Sequence, residues 1–586
     1  MSADLSDLLP PGFPVMSIKD AHGLMSGAPE SPLAVEDKEI RGVTYKVWKN
    51  APRTLGSIFA MGEQWATHDY IVLDDDRVTF AAHRKAAQKM AAQLILDGLK
   101  PGDRVAIVAR NLPEWSAAFW GAILAGAIVT PLNAWWTGAE LEYGISDSGS
   151  KIVIADGERW VRIEPHLANC PAVQKVYVCR APGPIDNAKV TMLESVLGRP
   201  NDWANLPFGF NPDVPLDPDG DAAIFYTSGT TGKPKGAIIT HRNIISNIVN
   251  ALSAQARSFL RRGEMPPVPD PTLPRKATLL SVPFFHATGC FAVMIPAMAA
   301  GSKLVLQRKW DADQALGLIE REKINSAGGV PTIAWQIVEH PRFDEFDLSS
   351  LEIVSYGGAP SAPELVRRLK ERFPAMQPGQ GWGMTETSAT ATSNFGEDYI
   401  RKPASCGVPA LTGEAKIMSP EGAQELATGE VGELWYKGPI VVRGYWGKPE
   451  ATAETFIDGW VRTGDLARID EEGFVYIVDR AKDMLIRGGE NIYCVEVENA
   501  IYDHPAVMDA AVVGRPHKVL GEEPIAIVHL KPDHEASEAE IRAHVASKLA
   551  AFKVPVQVIF MPDNLPRNAN GKIMKKELKA QFTEAA

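Results

Sequence analysis

Between residues 105 and 155 short apolar runs alternate with helical patterns: "VAIVA", "EWSAAFWGAIL", "AIVTPL", "GAELEYGI" and "KIVIAD". Continuous apolar runs bounded by Gly, Pro and charged residues suit strands buried on both faces. Helices between such strands bring them parallel, so this segment predicts a βαβαβ unit in a sheet covered by helices on both sides. The same rhythm returns after residue 222, with "AAIFY", "ATLLSV", "KLVL" and "EIVS" as strands and "DADQALGLIEREK" and "SAPELVRRLKERF" as helices. The proline-rich "RRGEMPPVPDPTLPRK", residues 261–276, reads as a surface loop.

A chain of 586 residues with 45% apolar content exceeds one ordinary core and can bury several. From about Gly432 the pattern changes to "GELWY", a hairpin "ARIDEEGFVYIV" turning at Glu472 and Gly473, then "PIAIVHL" and "VQVIF" around two helices. That grammar predicts a smaller α+β unit, its first residues following the charged run "VDRAKD", residues 478–483. The expected fold is therefore α/β. An N-terminal extension (1–50) precedes a large domain (51–480) of parallel βαβ-type sheets flanked by helices, with a smaller β subdomain, and a small α+β C-terminal domain (481–586) follows.

Acidic residues number 72 against 60 basic ones, and no dense Lys/Arg run is present, so nucleic acid is not an expected partner. Cys170, Cys179, Cys290, Cys406 and Cys494 are odd in number, scattered and without metal-ligand spacing. A reducing compartment is expected, with neither disulfides nor a zinc site. "MSADLSDLLPPGFPVM" lacks the form of a secretory signal, which points to the cytoplasm. The longest apolar stretch, Trp115 to Leu132, is broken by Gly, Thr and Pro and reads as a buried helix running into a buried strand, so no integral membrane segment is expected.

"AAIFY" is followed by "TSGTTGKPKG", where small residues leave backbone amides unshielded among hydroxyls and two lysines. Such a loop can wrap phosphate oxygens while its lysines offset charge. The Walker A order is absent, and the composition alone also fits a plain surface turn. In full, "YTSGTTGKPKG" resembles the signature loop of the superfamily of acyl-CoA synthetases, firefly-type luciferases and peptide-synthetase adenylation domains. The resemblance continues in the family's order through "PFFHATG" from Pro283, "SYGGAP" from Ser355, "QGWGMTET" from Gln380 and "GELWYKGPIVVRGYW" from Gly432. "TGDLARIDEEGFVYIVDRAKD" from Thr463, "RGGENIYCVEVE" from Arg487 and "LPRNANGKIMKKEL" from Leu565 complete it. Only the first fifty residues lie outside.

What the resemblance implies is attack of a carboxylate on the α-phosphorus of ATP, giving an acyl-adenylate and pyrophosphate, then transfer to a thiol. ATP, Mg2+ and coenzyme A are the implied cofactors and a small carboxylic acid the partner; a homodimer is left open. Thr227, Ser228, Gly229, Thr230, Thr231, Gly232 and Lys235 match the family's phosphate-holding loop. Thr385 matches the residue that touches the nucleotide phosphate, and Glu386 the carboxylate that helps hold magnesium; without the series, a Thr-Glu pair is a helix cap. Gly357, Gly358, Ala359 and Pro360 match the strand end along the adenine. Trp382 stands where the family most often has Tyr: an indole can stack on a purine equally well. Asp465 matches the ribose-binding carboxylate and Arg480 the nucleotide-contacting arginine, although an Asp before a hairpin is ordinarily a turn residue. Lys572 sits on a loop tip before a helix whose Met574, Leu578 and Phe582 mark one apolar face. Alone it reads as a solvated lysine; in the family it reaches the carboxylate and α-phosphate.

In acyl-CoA synthetases of this kind the small domain is mobile and turns between the two half reactions. Lys482 matches the hinge, and Gly488 and Gly489 match a segment that then leaves room for the pantetheine arm. His286 stands where amino-acid-activating relatives place an Asp, which disfavours an amino acid and favours an uncharged fatty or aryl tail. His286 either gates the acyl pocket or packs as a core histidine; Trp335 either lines that pocket or is core. The competing readings are a luciferase-like oxygenase, an acyl-AMP ligase loading a carrier protein, and a catalytically dead nucleotide-binding scaffold. The short spacing from Gly328 to Ser355 disfavours the carrier-loading ligase, and retention of Lys572, Glu386, Asp465 and Arg480 the scaffold.

Overall fold

The computed structural model describes residues 5–207, 212, 214–227, 233–267, 270, 273–357, 363–419, 422–531, 534–568 and 571–583. One seven-stranded sheet runs, edge to edge, through Gly236–Thr240, Asp221–Tyr226, Ile128–Pro131, Arg104–Val108, Ile152–Asp156, Lys175–Cys179 and Val190–Met192. The strand Arg104–Val108 is flanked by the next two strands in sequence, so the winding direction reverses there. Its neighbours are parallel, as the alternating pattern predicts, and only the hairpin between Asp221–Tyr226 and Gly236–Thr240 is antiparallel. The helix Pro113–Leu124 opens on proline and is buried at every residue. An all-apolar helix of this kind belongs inside a protein between layers. After it the chain enters Ile128–Pro131, and none of the described helices is long and apolar enough to cross a membrane.

A nine-stranded sheet carries Ile353–Gly357 and Gln377–Trp382 as parallel neighbours near its middle, with antiparallel pairs at both edges. The sequence expectation of parallel sheets thus holds for the sheet centres, where crossover helices connect strands. The edges are hairpins and short returns, for which no crossover is needed. Trp115, Phe119, Trp120, Phe225, Phe284 and Phe291 fall in one buried cluster that joins both sheets.

A five-stranded antiparallel sheet, containing Gly432–Lys437, Trp460–Ile469 and Val475–Arg480, forms the β subdomain. Gly473 takes a φ of 86° in the turn of its hairpin, a region glycine enters without strain. The last unit is built on the long hairpin Val507–His517 and Gly521–Leu530, packed by the helices Cys494–Tyr502, Glu538–Ala546 and Lys575–Thr583. Leu578 of the final helix is fully buried and Phe582 packs beside it, as the sequence pattern predicts, whereas Met574, read as part of the same face, precedes the helix Lys575–Thr583. At the junction, the Cys494 amide donates to Oδ2 of Asp479, in the β subdomain, at 2.5 Å. Lys575 and Glu498 pair beside it at 2.6 Å.

The described residues of the N-terminal extension are fastened to the large unit. The helix Ile18–Ser26 buries Ala21 and Met25 against Ala256 and Leu260. Val35–Ile40 and Val43–Trp48 form a hairpin, whose Trp48 indole donates to Asn250 at 2.9 Å.

Candidate active site

After the strand Asp221–Tyr226, the amide of Thr227 donates to the carbonyl of Lys235 at 2.9 Å, joining the two ends of the Gly/Thr segment. Ser228, Gly229, Thr230, Thr231 and Gly232 lie outside the described residues, as do Gly358, Ala359 and Pro360. Lys235 sets its ammonium 4.9 Å from the centroid of the Tyr445 ring. The hydroxyl of that same tyrosine donates to Oε1 of Glu386 at 2.7 Å. Tyr445 thus links the phosphate loop to the carboxylate. It lies within the "RGYW" run, and no role was assigned to it from sequence; an aromatic beside glycine is the one signal available.

Glu386 occupies the single turn Thr385–Thr387, just after the strand Gln377–Trp382, and is only 6% exposed. Burial pushes its carboxyl up, against the pull of Tyr445, Lys235 and Lys572. A buried carboxylate oriented by a phenol offers the oxygen ligand that a hard cation takes, while the two lysines facing it compete for the same charge. Among the described residues no group of three or more His, Cys, Asp or Glu could hold a metal, so a cation there would draw further ligands from phosphate and water. A Cβ at Gly383 would stand 1.6 Å from the carbonyl oxygen of Ala389, so the backbone must be bare where the chain folds back beyond Glu386.

Gly357 ends its strand so close to its neighbour that a Cβ would fall 2.6 Å from the oxygen of Gly381. One strand along, the indole of Trp382 donates to Oδ2 of Asp465 at 2.8 Å. Oδ1 of Asp465 faces Nε of Arg480 at 3.4 Å, because these two residues are register partners on adjacent strands. Trp382 and Asp465 are buried, at 9% and 8% exposure.

Lys572 arrives from the other unit. Gly571 turns the chain at a φ of 74°, and the Lys572 amide donates to the Asn568 side chain at 3.0 Å. A Cβ at Gly571 would lie 2.7 Å from a methyl of Val330, so the loop is pressed against the large unit. Burial pushes the Lys572 ammonium down to about 8, helped by Arg480 and Lys482 and opposed by Asp465 and Glu386. His286 is pushed down to about 4 by burial and then by the Lys572 charge, so its imidazole is neutral near pH 7. Its Nδ1 accepts the Thr288 amide at 3.3 Å, at the start of a π-helical segment, Thr288–Met294, a distortion found often at functional sites.

The structure therefore gathers Glu386, Asp465, Arg480, His286 and Lys572 around one point. Trp335 is 7% exposed and belongs to the second buried core, with the Lys531 ammonium of the small unit 5.4 Å from its ring centroid. Lys482 lies in the exposed junction between Arg480 and the strand Leu485–Arg487. Gly488 and Gly489 form an exposed turn with φ of 61° and 92°, and no described contact joins them to the cluster.

The family model "AMP-binding enzyme" matches residues 60–446, and that of the "AMP-binding enzyme C-terminal domain" matches residues 496–572. A feruloyl-CoA synthase of Amycolatopsis sp is 34% identical, over 86% of this chain and 94% of its own length. A long-chain-fatty-acid–CoA ligase of Bacillus subtilis (strain 168) is 33% identical, over 87% and 90%. The crystal structure of ATP-bound MatB from Rhodopseudomonas palustris superposes with a TM-score of 0.76 at 30% identity, covering 91% of this chain and 99% of that one. The chain belongs to the AMP-binding enzyme family, as an adenylate-forming acid–thiol ligase.

Proposed function

We propose that the protein is an ATP-dependent carboxylic acid:CoA ligase that takes an acid with an uncharged fatty or aryl tail, through an acyl-adenylate. The observation that carries this reading is the convergence of Lys572, from the last unit, on Glu386, Asp465 and Arg480 of the large one. A carboxylate attacking a triphosphate brings negative charge to negative charge, so fixed cations and donors supply most of the catalysis. Lys572 donates to the attacking carboxylate and the α-phosphate as charge develops between them. The loop from Thr227 to Lys235 holds the outer phosphates, with Thr385 beside them. Mg2+, bound to those phosphates and to Glu386, would neutralise charge on the leaving pyrophosphate; Tyr445 fixes the orientation of that carboxylate. Asp465 accepts from the ribose hydroxyls, Trp382 and residues 357–360 flank the adenine, and Arg480 steadies the nucleotide.

His286, neutral and half-buried beside Lys572, borders the acyl group, which is why an ammonium-bearing substrate is disfavoured. The aryl and fatty substrates named for the two relatives support the same choice of tail. Residues 51–480 and 481–586 act as two bodies, and rotation at Lys482 brings Gly488 and Gly489 to the site for thioester formation. The test is AMP release from a panel of fatty, aryl-acetic and aryl-propionic acids, with and without CoA. Acyl-CoA formed in step with AMP is expected; AMP release without acyl-CoA overturns the ligase reading in favour of another adenylate-using chemistry.

A further inference from the structure

The helix Gly138–Ser148 belongs to none of the family-like motifs, yet it meets both described ends of the phosphate loop. It is a firmly built element. A reciprocal capping box of Thr137 and Glu140 opens it, and Gly149 closes it in the left-handed region at a φ of 62°. Leu141 and Ile145 are buried in an apolar core on its inner side. Tyr143 and Asp147, one turn apart, share a face of this helix.

Tyr143 reaches the returning end of the loop. Its hydroxyl donates to the carbonyl of Pro234 at 3.0 Å, and its ring centroid lies 4.9 Å from the Lys233 ammonium. The arrangement repeats two residues on, where Lys235 stands 4.9 Å from the Tyr445 ring. The two lysines flanking Pro234 are thus each seated on a tyrosine. Among the described residues neither has a carboxylate at ion-pair distance. A cation held by a π face keeps its N–H donors for an incoming phosphate, which a carboxylate partner would take up. Asp147 serves the other end. Its Oδ2 accepts the hydroxyl of Tyr226, the residue before Thr227, at 2.8 Å. Burial and then the Asp147 charge push that phenol up, so it stays a donor near pH 7. Oδ1 of Asp147 pairs with Lys448 at 3.2 Å, and the Lys448 amide donates to the carbonyl of Tyr445 at 3.2 Å.

We propose that Tyr143 and Asp147 are positioning residues for the polyphosphate, acting through Lys233, Pro234 and Tyr226; this rests on the reading of that loop as the holder of the outer phosphates. One helix ties together the strand before the loop, the limb after it and the segment bearing Tyr445, which itself holds Glu386. A glycine-rich loop loses more backbone freedom on ordering than other segments do. Fixing its two ends beforehand removes part of that cost from the binding of ATP, and of pyrophosphate in the reverse step. Neither residue is among those gathered around Lys572, so the effect falls on polyphosphate rather than on the acid or the thiol.

The experiment uses the full-length enzyme and its Tyr143→Phe, Tyr143→Leu and Asp147→Ala variants in two assays. One is acid-dependent ATP–pyrophosphate exchange at varied ATP and varied pyrophosphate. The other is acyl-CoA formation from CoA and the supplied adenylate of an acid that supports exchange, a step that needs no polyphosphate. Tyr143→Leu and Asp147→Ala should raise KM for ATP and for pyrophosphate about tenfold. Tyr143→Phe, which keeps the ring and loses the hydroxyl, should raise both about threefold. The rate from supplied adenylate should stay at the wild-type value in all three. Equal losses in both assays indicate a structural role only and overturn the proposal. An unchanged KM for ATP and pyrophosphate in Tyr143→Leu or in Asp147→Ala removes that residue from the role while leaving the ligase reading in place. A wild-type enzyme without acid-dependent exchange overturns the adenylation reading itself.

Discussion

The indole nitrogen of Trp382 donates to the Asp465 carboxylate at 2.8 Å, so in the proposed mechanism one side chain both offers a ring to the adenine and holds the acid that accepts from the ribose. Replacing Trp382 with Phe keeps the ring and removes the donor. A hydrogen bond to a buried charged group contributes about 1.5–3 kcal/mol. KM for ATP should therefore rise on the order of tenfold or more, with little change in KM for the acid; initial-rate kinetics at varied ATP checks this. An unchanged KM would mean that Arg480 alone positions Asp465.

In the proposed mechanism Lys572 acts as an ammonium donor, and burial lowers its pKa to about 8. Below that pH the donor is charged; above it the charge is lost. Adenylation, followed by ATP–pyrophosphate exchange, should decline as pH rises through about 8. Lys572→Ala should slow it on the order of a hundredfold, the loss expected for a transition-state donor, and erase that alkaline limb. A variant with normal exchange would remove Lys572 from the mechanism.

Close packing of Gly571 against Val330 makes the seating of the lysine loop testable by steric change. A methyl group at Gly571 meets the Val330 side chain at 2.7 Å and occupies a backbone region unfavourable to alanine. Gly571→Ala should depress exchange several-fold or more while thermal unfolding of the protein stays close to wild type. Adding Val330→Ala in the same chain should restore part of the rate. If no rescue appears, backbone strain rather than the contact is responsible.

Gly489 presents the opposite situation: nothing described lies within 4 Å of a Cβ there. Gly489→Leu should leave adenylate formation near wild type and block thioester formation, measured as acyl-CoA released in single turnovers. Loss of both half reactions together would indicate a folding defect.

Much of the scaffold was legible because local pattern and tertiary role coincide. "VAIVA" and "KIVIAD" read as buried strands and are Arg104–Val108 and Ile152–Asp156; "GAELEYGI" reads as a helix and lies in Gly138–Ser148, capped by Thr137 and Glu140. The apolar run from Trp115 resolved into helix then strand because Gly126, at a φ of 75°, marks the break. The π-helical turn after His286 carries no such mark, since its geometry is imposed by neighbours rather than by propensity. The first fifty residues matched no family motif, yet their helix Ile18–Ser26 packs on the helix His241–Arg261, whose partner surface is distant in sequence.

At the site, individual residues such as Lys572 and Asp465 are ordinary in isolation, a loop-tip lysine and a turn aspartate. Their order along the chain singled them out, and the fold supplies the juxtaposition. Tyr445, which touches both Lys235 and Glu386, stayed invisible because its partners lie 210 and 59 residues before it, by subtraction of their sequence numbers. The Trp382 bond was missed for a related reason: an indole N–H and a phenol O–H point in different directions, and only the strand register brings Asp465 under the indole.

The cap that Asp479 places on the Cys494 amide spans the junction between the two bodies. A helix begins there with its first donor satisfied from outside its own unit, so any turn of the small body about Lys482 uncouples that proton from its acceptor. In the proposed domain rotation the amide of Cys494 is consequently a built-in gauge of domain position. Its exchange with deuterium would slow when an adenylate analogue holds this arrangement and quicken when a thioester analogue pulls the bodies into another, at a site remote from either ligand.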